Sequence, residues 1–274
     1  MSFSSGNLQR DLEFSNRYSK EYAEYSGYIV NTYGNTSEAP MRSKQNMFIT
    51  ALKKLGVWDK GDAIYLLNSD YLFDGFPQNI LVNVKRPGYN QGSATGPPVF
   101  TPKVGVWASD SNQYLTLDYN PSADGINWKT GAGQDDASFF LGIPQLVTPL
   151  SSTQRGVGIF SGNGLRISVG SNGRIIFMLN DTSADTSRLI WERGLVGVTR
   201  SPDLPNVKQC SMNQKKELIN RAVSSAAYNN DIRTLVANNG AEIFSDYLNF
   251  IYCGGGLSEE QVFGMNNAYW KYMI

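Results

Sequence analysis

The fold is decided by residues 248–272, LNFIYCGGGLSEEQVFGMNNAYWKY. Leu248, Phe250 and Tyr252 alternate with other residues up to three glycines, which predicts a strand followed by a turn because glycine adopts positive φ without strain. Ser258 stands three residues before Gln261, the spacing of a helix capping box. Later side chains then share one helical face: Val262, Met265, Tyr269 and Tyr272. A strand, a turn and a capped helix in this order are expected to close a domain.

Short runs with a two-residue period fill the middle of the chain and predict strands. They lie at residues 63–67, 79–84, 113–119, 137–141, 156–160, 188–192 and 195–200, with a hairpin at 165–179 around Asn172-Gly173. The polar region 211–239 interrupts this pattern, and segments 215–223 and 232–236 are predicted as helix or ordered loop. About nine strands with frequent turns predict a mainly β chain, an antiparallel jelly-roll β-sandwich with an N-terminal helical extension and a short C-terminal helix.

Two helices are predicted before the strands. Residues 7–33 form the first, because an aromatic stripe recurs at helical spacing: Phe14, Tyr18, Tyr22, Tyr25 and Ile29. Residues 34–40 are typical of a linker, and residues 42–55 form the second helix, which Gly56 ends. We therefore divide the chain into a segment for attachment or oligomerisation (1–40) and a β-sandwich domain (41–274). Packing of the stripe on its own domain remains an alternative.

Composition excludes several classes of function. The chain has 274 residues, of which 24 are basic and 24 are acidic. Its net charge is therefore zero, which gives no reason to expect binding to nucleic acid or to an anionic membrane. Histidine is absent, which removes the usual general base and the commonest zinc ligand. Cys210 and Cys253 are too few for a disulfide framework, and two free buried thiols are favoured over one bridge. No signal peptide or 18-residue apolar run is present, so synthesis in the cytoplasm is expected.

Three blocks carry a resemblance to a known family. The first is residues 46–65, where a helix leads through Gly56-Val57-Trp58 towards Asp62 and Tyr65; the others are 98–122, with Pro-Val-Phe-Thr before a strand ending in Tyr-Asn-Pro, and 250–272. Together they resemble concanavalin A-like (laminin G-type) β-sandwich proteins of bacteriophage and prophage virions. The resemblance implies the fold and a virion setting, and it transfers no catalytic site.

Carboxylates are the candidates for catalytic or metal-binding groups. Glycoside hydrolysis needs two carboxylates across the scissile bond, and the chain offers Glu242 and Asp246. Both are interpreted as ordinary solvent-facing side chains. Asp135 and Asp136 follow an oxygen-rich loop that could bind calcium, although a plain turn before a strand is favoured. We expect no catalytic residue, metal or cofactor.

Aromatic side chains in polar loops are the candidates for carbohydrate binding, because the apolar face of a sugar stacks on a ring while amides bond its hydroxyls. Trp128 in loop 124–129 is the first choice, with Asn127 beside it, and Trp107 and Tyr89 follow. Burial of Trp128 against a neighbouring loop is the alternative. Tyr89 belongs to a long loop, residues 85–98, that could reach a receptor.

The sequence thus predicts a bacteriophage virion structural protein, non-enzymatic, serving as a spike, fibre or capsid-decorating subunit with a lectin-like head. Expected partners are other virion proteins, further copies of the chain and a host-surface glycan, with no nucleic acid and no membrane insertion. The expected location is the virion. A glycan-active hydrolase or a stand-alone lectin on the same fold remains the alternative.

Overall fold

The computed structural model describes residues 18–34, 39–69, 76–129, 135–146, 155–158, 164–170, 172–181, 183–204, 207–220, 229–235 and 246–274. The helices are α1 (Lys20–Tyr33), α2 (Ala39–Lys54), α3 (Val57–Lys60), a 3-10 helix (Gln78–Leu81), α4 (Pro121–Asp124) and α5 (Glu259–Tyr272). None of the helices in these ranges is both long and apolar enough to cross a membrane.

Antiparallel strands make up most of the rest. They are β1 (Gly61–Leu66), β2 (Ser93–Thr95), β3 (Val99–Thr101), β4 (Gly105–Trp107), β5 (Tyr114–Thr116), β6 (Ala137–Ile143), β7 (Arg155–Gly158), β8 (Gly164–Val169), β9 (Arg174–Asp181), β10 (Asp185–Ile190), β11 (Gly194–Arg200), β12 (Val207–Met212), β13 (Lys215–Asn220), β14 (Arg233–Thr234) and β15 (Phe250–Gly254). A six-stranded sheet has the order β1-β15-β6-β11-β12-β13 and a four-stranded sheet the order β10-β9-β8-β7. Smaller sheets are β14-β5-β2 and β3-β4. The predicted β-sandwich is confirmed.

The six-stranded sheet is a central layer with a core on each face. One core lies between it and the other strands, where Phe139 and Val198 meet Ile167 and Phe177. The second lies beneath the helices, where Phe140 and Tyr252 share a core with side chains of α1, α2 and α5. Burial on both faces explains why all five residues of β15 are buried instead of alternating between core and solvent.

The strand, turn and helix predicted at residues 248–272 form as expected. Ser258 Oγ accepts from the Gln261 backbone N–H at 3.2 Å, and Gln261 Oε1 accepts from the Ser258 N–H at 3.0 Å, which is the capping box. A Cβ on Gly256 would lie 2.0 Å from the carbonyl oxygen of Arg200. The glycine turn is therefore required by the close approach of a neighbouring strand.

Local signals also placed the hairpin of β8 and β9 correctly. Val169 pairs with Ile175 across the turn, and Gly173 has φ +76°. Both cysteines are free and buried in the core between the six-stranded sheet and the other strands, as the sequence favoured. The helix predicted at 42–55 begins earlier, at Ala39, so Pro40 belongs to its first turn and not to the linker.

Two segments differ from their prediction. Residues 79–84 were expected to form a strand, but Gln78–Leu81 is a 3-10 helix. Only the end of the segment reaches β1, through an isolated bridge between Tyr65 and Asn83, and Asn83 Oδ1 accepts from the backbone N–H groups of Ile64 and Lys85. The helix or ordered loop predicted from residue 215 is also wrong up to residue 220, because this segment pairs with β12 as β13.

The aromatic stripe of α1 packs on the chain's own domain. Tyr22, Tyr25 and Ile29 are buried in the core beneath the helices, the Tyr18 ring lies 5.2 Å from that of Tyr22, and Phe14 falls outside the described residues. The packing alternative therefore holds for the three buried side chains, which are not exposed to a partner. A role for residues 1–40 in attachment or oligomerisation stays a prediction.

Candidate functional site

The candidate site is built on a tight turn, Arg86-Pro87-Gly88-Tyr89. The Tyr89 N–H donates to the Arg86 carbonyl oxygen at 2.9 Å, Pro87 occupies the second position, and Gly88 has φ +86°. Proline at the second position and a positive φ at the third are typical of a type II turn. The turn brings its two ends together, so that the Arg86 guanidinium carbon lies 4.5 Å from the centroid of the Tyr89 ring.

This Arg–Tyr pair is open to solvent. Tyr89 is 55% exposed and is one of the few large hydrophobic residues outside the core. Arg86 is half-buried, and its guanidinium has no ion pair or hydrogen bond with any side chain in the described ranges. The surface therefore presents an aromatic ring beside a cation that still has its donors available.

The preceding cation, Lys85, is used differently. Its Nζ donates to the Trp58 carbonyl oxygen at 2.7 Å and lies 4.9 Å from the centroid of the Trp58 ring. Partial burial lowers the pKa of Lys85, and the carboxylates of Asp59 and Asp62 oppose that effect. Lys85 thus points to the interior, whereas Arg86 remains on the surface.

Helix α1 supports the turn from one side. The Gln91 amide donates to the Tyr28 hydroxyl, and the Tyr33 hydroxyl donates to Gln91 Oε1 at 3.2 Å. Burial, with a smaller contribution from Tyr28, raises the pKa of Tyr33. A Cβ on Gly88 would lie 3.2 Å from the Tyr28 ring, so the glycine also lets the turn pack against the helix.

Sandwich residues hold the turn from the other side. The Tyr65 hydroxyl donates to the Asn90 carbonyl oxygen at 2.7 Å, and the Gly92 N–H donates to the Leu81 carbonyl oxygen at 2.8 Å. Strand β2 then pairs with β5 directly after these contacts. The loop predicted at 85–98 is therefore fixed at several points, which reduces the entropy that its side chains lose when a ligand binds.

Trp128, the first choice from the sequence, is buried. Its side chain is 3% exposed, and its Nε1–H donates to Asn180 Oδ1 at 3.1 Å. This corrects the prediction that Trp128 stacks on a sugar, because neither face of the indole is open, and the burial alternative holds. Asn127 is held through three hydrogen bonds from its backbone and side-chain nitrogens to the Asp62 carboxylate.

The remaining aromatic candidates differ in how exposed they are. Trp107 is half-buried, with its ring 6.1 Å from that of Tyr247. Tyr89 alone among the four predicted carbohydrate-binding residues is classed as exposed. A carbohydrate role for Trp107 and Asn127 stays a prediction.

The carboxylates considered for catalysis or calcium have structural partners. Asp246 is fully buried and accepts from Trp191 Nε1–H at 3.1 Å, so its prediction as a solvent-facing side chain is wrong. Glu242 lies outside the described residues. Asp135 pairs with Arg200 at 2.7 Å, and Asp136 accepts from the Gly256 N–H. Over the ranges that the structure describes, no three acidic or cysteine side chains form a group able to hold a metal ion.

Sequence reasoning named Tyr89 but missed the residues that organise it. Arg86 stands in the tetrapeptide Arg-Pro-Gly-Tyr, whose central Pro-Gly is itself a type II turn signal. That signal would have placed the two side chains together. The contributions of Tyr28 and Tyr33 carry no such local signal, since Gln91 lies 63 and 58 residues away from them.

Neither a protein-family model nor a curated protein matches this sequence. Solved structures do match. The binding domain of botulinum neurotoxin serotype D has a TM-score of 0.53 and 12% identity, covering 79% of this chain and 52% of that one. A second structure is described with the statement that cell entry of botulinum neurotoxin type C depends on interaction with two ganglioside molecules. It has a TM-score of 0.54 and 12% identity, covering 78% of this chain and 52% of that one. The serotype D ligand-binding domain in complex with N-acetylneuraminic acid has a TM-score of 0.53 and 12% identity, covering 79% and 52%.

This chain spans about half the length of those toxin chains. At such low identity the similarity concerns the fold alone. It supports the β-sandwich part of the resemblance drawn from the sequence, while the bacteriophage family stays a prediction. The chain has the jelly-roll-like β-sandwich fold of these binding domains.

Proposed function

We propose that this chain is a non-enzymatic binding module that holds a saccharide at the Arg86–Tyr89 turn. The observation that carries the proposal is the Tyr89 ring, exposed on a turn that is fixed from both sides and paired with a guanidinium. An exposed ring accepts the apolar face of a sugar, and neighbouring donors bond its oxygens.

The comparisons support this proposal through the kind of domain that shares the fold. Among the similar structures are toxin binding domains, one described with gangliosides and one in complex with N-acetylneuraminic acid. The placement of Asp246 in the interior argues against the alternative of a glycan-active hydrolase, because a sequestered carboxylate cannot reach a glycosidic bond.

The proposed setting is a bacteriophage virion, in which the chain is a spike, fibre or capsid-decorating subunit that contacts other virion proteins and further copies of itself. The three sequence blocks that resemble phage β-sandwich proteins support this setting. Electron microscopy of phage particles labelled with an antibody against the chain tests it. Particles without label, from a lysate that contains the chain, would refute the virion role and favour the stand-alone lectin.

A saccharide array with the purified chain tests the binding role. We expect at least one saccharide to bind and the Tyr89→Ala variant to bind it about tenfold more weakly, because ring stacking is lost. Ile126→Ala is the matched control, since Ile126 is 63% exposed on a different loop. Equal binding by Tyr89→Ala and the unmodified chain, or no binding at all, would refute the proposed site.

A further inference from the structure

We infer that the Arg86–Tyr89 turn selects saccharides that carry a carboxylate, with the Arg86 guanidinium as the group that binds the anion. This inference rests on the proposed saccharide-binding function and adds the chemical class of the ligand. It starts from the charge of Arg86, which no carboxylate in the described part of the chain neutralises by an ion pair.

The geometry favours an anion at this position. The Arg86 guanidinium lies over the Tyr89 ring, and no side chain in the described residues uses its N–H donors. These N–H groups form a fork that matches the two oxygens of a carboxylate. The guanidinium carbon lies 4.5 Å from the centroid of the Tyr89 ring, so a sugar on the uncovered face or edge of the ring would bind beside the cation.

A second Arg–Tyr pair in the molecule provides a contrast. The Arg233 guanidinium carbon lies 4.8 Å from the centroid of the Tyr114 ring. Arg233 also makes no ion pair in the described residues, but it lies near Asp231: partial burial, Asp118 and Asp124 raise the pKa of that carboxyl, and Arg233 counteracts the increase. The Asp231 carboxylate near Arg233 would repel an anionic ligand there.

Two of the three carboxylates that act on Lys85, the neighbour of Arg86, have other partners. Those that act on Lys85 are Asp59, Asp62 and Glu21. The Asp62 carboxylate accepts from Tyr119, Asn127 and Trp128, and Glu21 pairs with Lys53. Arg86 is thus the cation at this turn that remains available to an acid from outside.

Matched sugars test the inference. Methyl glucuronide and methyl glucoside differ at one carbon, which carries a carboxylate in the first and an alcohol in the second, and N-acetylneuraminic acid can be compared with its methyl ester. Calorimetric or NMR titration of the whole chain should show about tenfold tighter binding of each acid, the range expected for a hydrogen bond to a charged group. Added salt should reduce this preference.

Arg86→Gln should remove the preference, so that the acid and the neutral sugar bind the variant with equal affinity. Arg233→Gln is the control and should keep the preference. Equal affinity for acid and neutral sugar in the unmodified chain, or a preference that survives Arg86→Gln, would overturn the inference. If neutral sugars still bind and Tyr89→Ala abolishes that binding, the proposed saccharide-binding function stands and only the selectivity for acids fails. If no sugar binds, both the proposed function and the selectivity fail.

Discussion

Arg200 and Arg86 carry the same side chain in opposite surroundings. Arg200 is fully buried between the two large sheets, with Nη1 2.7 Å from Asp135 Oδ2, Nη2 3.4 Å from Asp181 Oδ2 and Nε donating to the Leu179 carbonyl oxygen at 3.1 Å. Arg86 lies on a surface turn without an ion pair in the described residues. The charge of the interior arginine is neutralised by carboxylates of the chain, whereas the charge of the surface arginine is available to a ligand.

A second buried cation extends the interior cluster. Lys208 on β12 has its Nζ 2.9 Å from Asp181 Oδ2 and also pairs with Asp185. Since β11 and β12 belong to the six-stranded sheet and β9 and β10 to the other, these ion pairs connect the two layers. In this comparison, the arginine that is paired between the sheets stabilises the fold, whereas the unpaired Arg86 is available for the binding that we propose.

Arg200→Met should give the largest effect on stability. Removing Arg200 takes the buried cation away from the Asp135 carboxylate, so we expect the free energy of unfolding to fall by about 3–5 kcal/mol. Urea denaturation measures it. A double variant, Arg200→Met with Asp135→Asn, should recover part of the loss. A loss below about 1 kcal/mol would show that the cluster is better hydrated than its burial implies.

Trp128→Phe should have an intermediate effect. Asn180 Oδ1 would lose the Nε1–H donor inside the core, which should lower the free energy of unfolding by about 1–3 kcal/mol. Saccharide affinity should not change. The opposite pattern, lost affinity at full stability, would restore Trp128 as a surface binding residue and break the distinction between interior and turn.

The buried thiol of Cys210 should make stability depend on alkaline pH. Burial raises the pKa of Cys210 from 9.0 to about 12, so the folded chain keeps a proton that the unfolded chain releases. Stability from this group is complete below pH 9 and should decrease as pH rises towards 12, by up to about 1.4 kcal/mol per pH unit. Urea unfolding between pH 8 and 11 should show a shallower decrease in the free energy of unfolding for Cys210→Ala than for the unmodified chain. Identical slopes would mean that Cys210 does not contribute to the pH dependence.

Ser258→Ala tests the contribution of the helix cap at the start of α5 to stability. Loss of the side-chain bond at the start of α5 should lower the free energy of unfolding by about 1 kcal/mol. Ser258→Asp is the matched control, because aspartate caps helices equally well and should restore stability. Thermal denaturation distinguishes the two, and equal melting temperatures for Ser258→Ala and the unmodified chain would argue against the capping box.

Arg86→Gln should have the smallest effect on stability, within about 0.5 kcal/mol, since the side chain has no ion pair to lose among the described residues. The same denaturation series that includes Arg200→Met measures it. A loss approaching that of Arg200→Met would mean that Arg86 serves the fold, and the contrast between the two arginines would fail.

Sequence reasoning succeeded where a structure depends on nearby residues. The Asn-Gly turn of the β8–β9 hairpin and the Ser258 cap each involve residues close together in the chain, so their pattern is visible in the sequence. Tyr89 was named for a similar reason, because it lies in a polar, glycine-rich loop.

Reasoning from the sequence failed where a distant residue decides the outcome. Trp128 is buried in the core, and its N–H donates to Asn180 across 52 residues. Asn83 contacts β1 through its side chain, which accepts from the Ile64 N–H, after the 3-10 helix has ended. Arg200 meets Asp135 across 65 residues, so no local pattern shows that these charges pair. The part of the site contributed by helix α1 was missed for the same physical reason.

The pairing of β1 with β15 has a consequence for how the protein is made. Ile64 is opposite Tyr252, and Lys60 Nζ donates to the Gly256 carbonyl oxygen across 196 residues of sequence. During translation the first strand must therefore wait for most of the chain before its partner leaves the ribosome, with Ile64 and Leu66 unprotected meanwhile. Such late closure predicts slow folding and aggregation of nascent or truncated chains that lack β15.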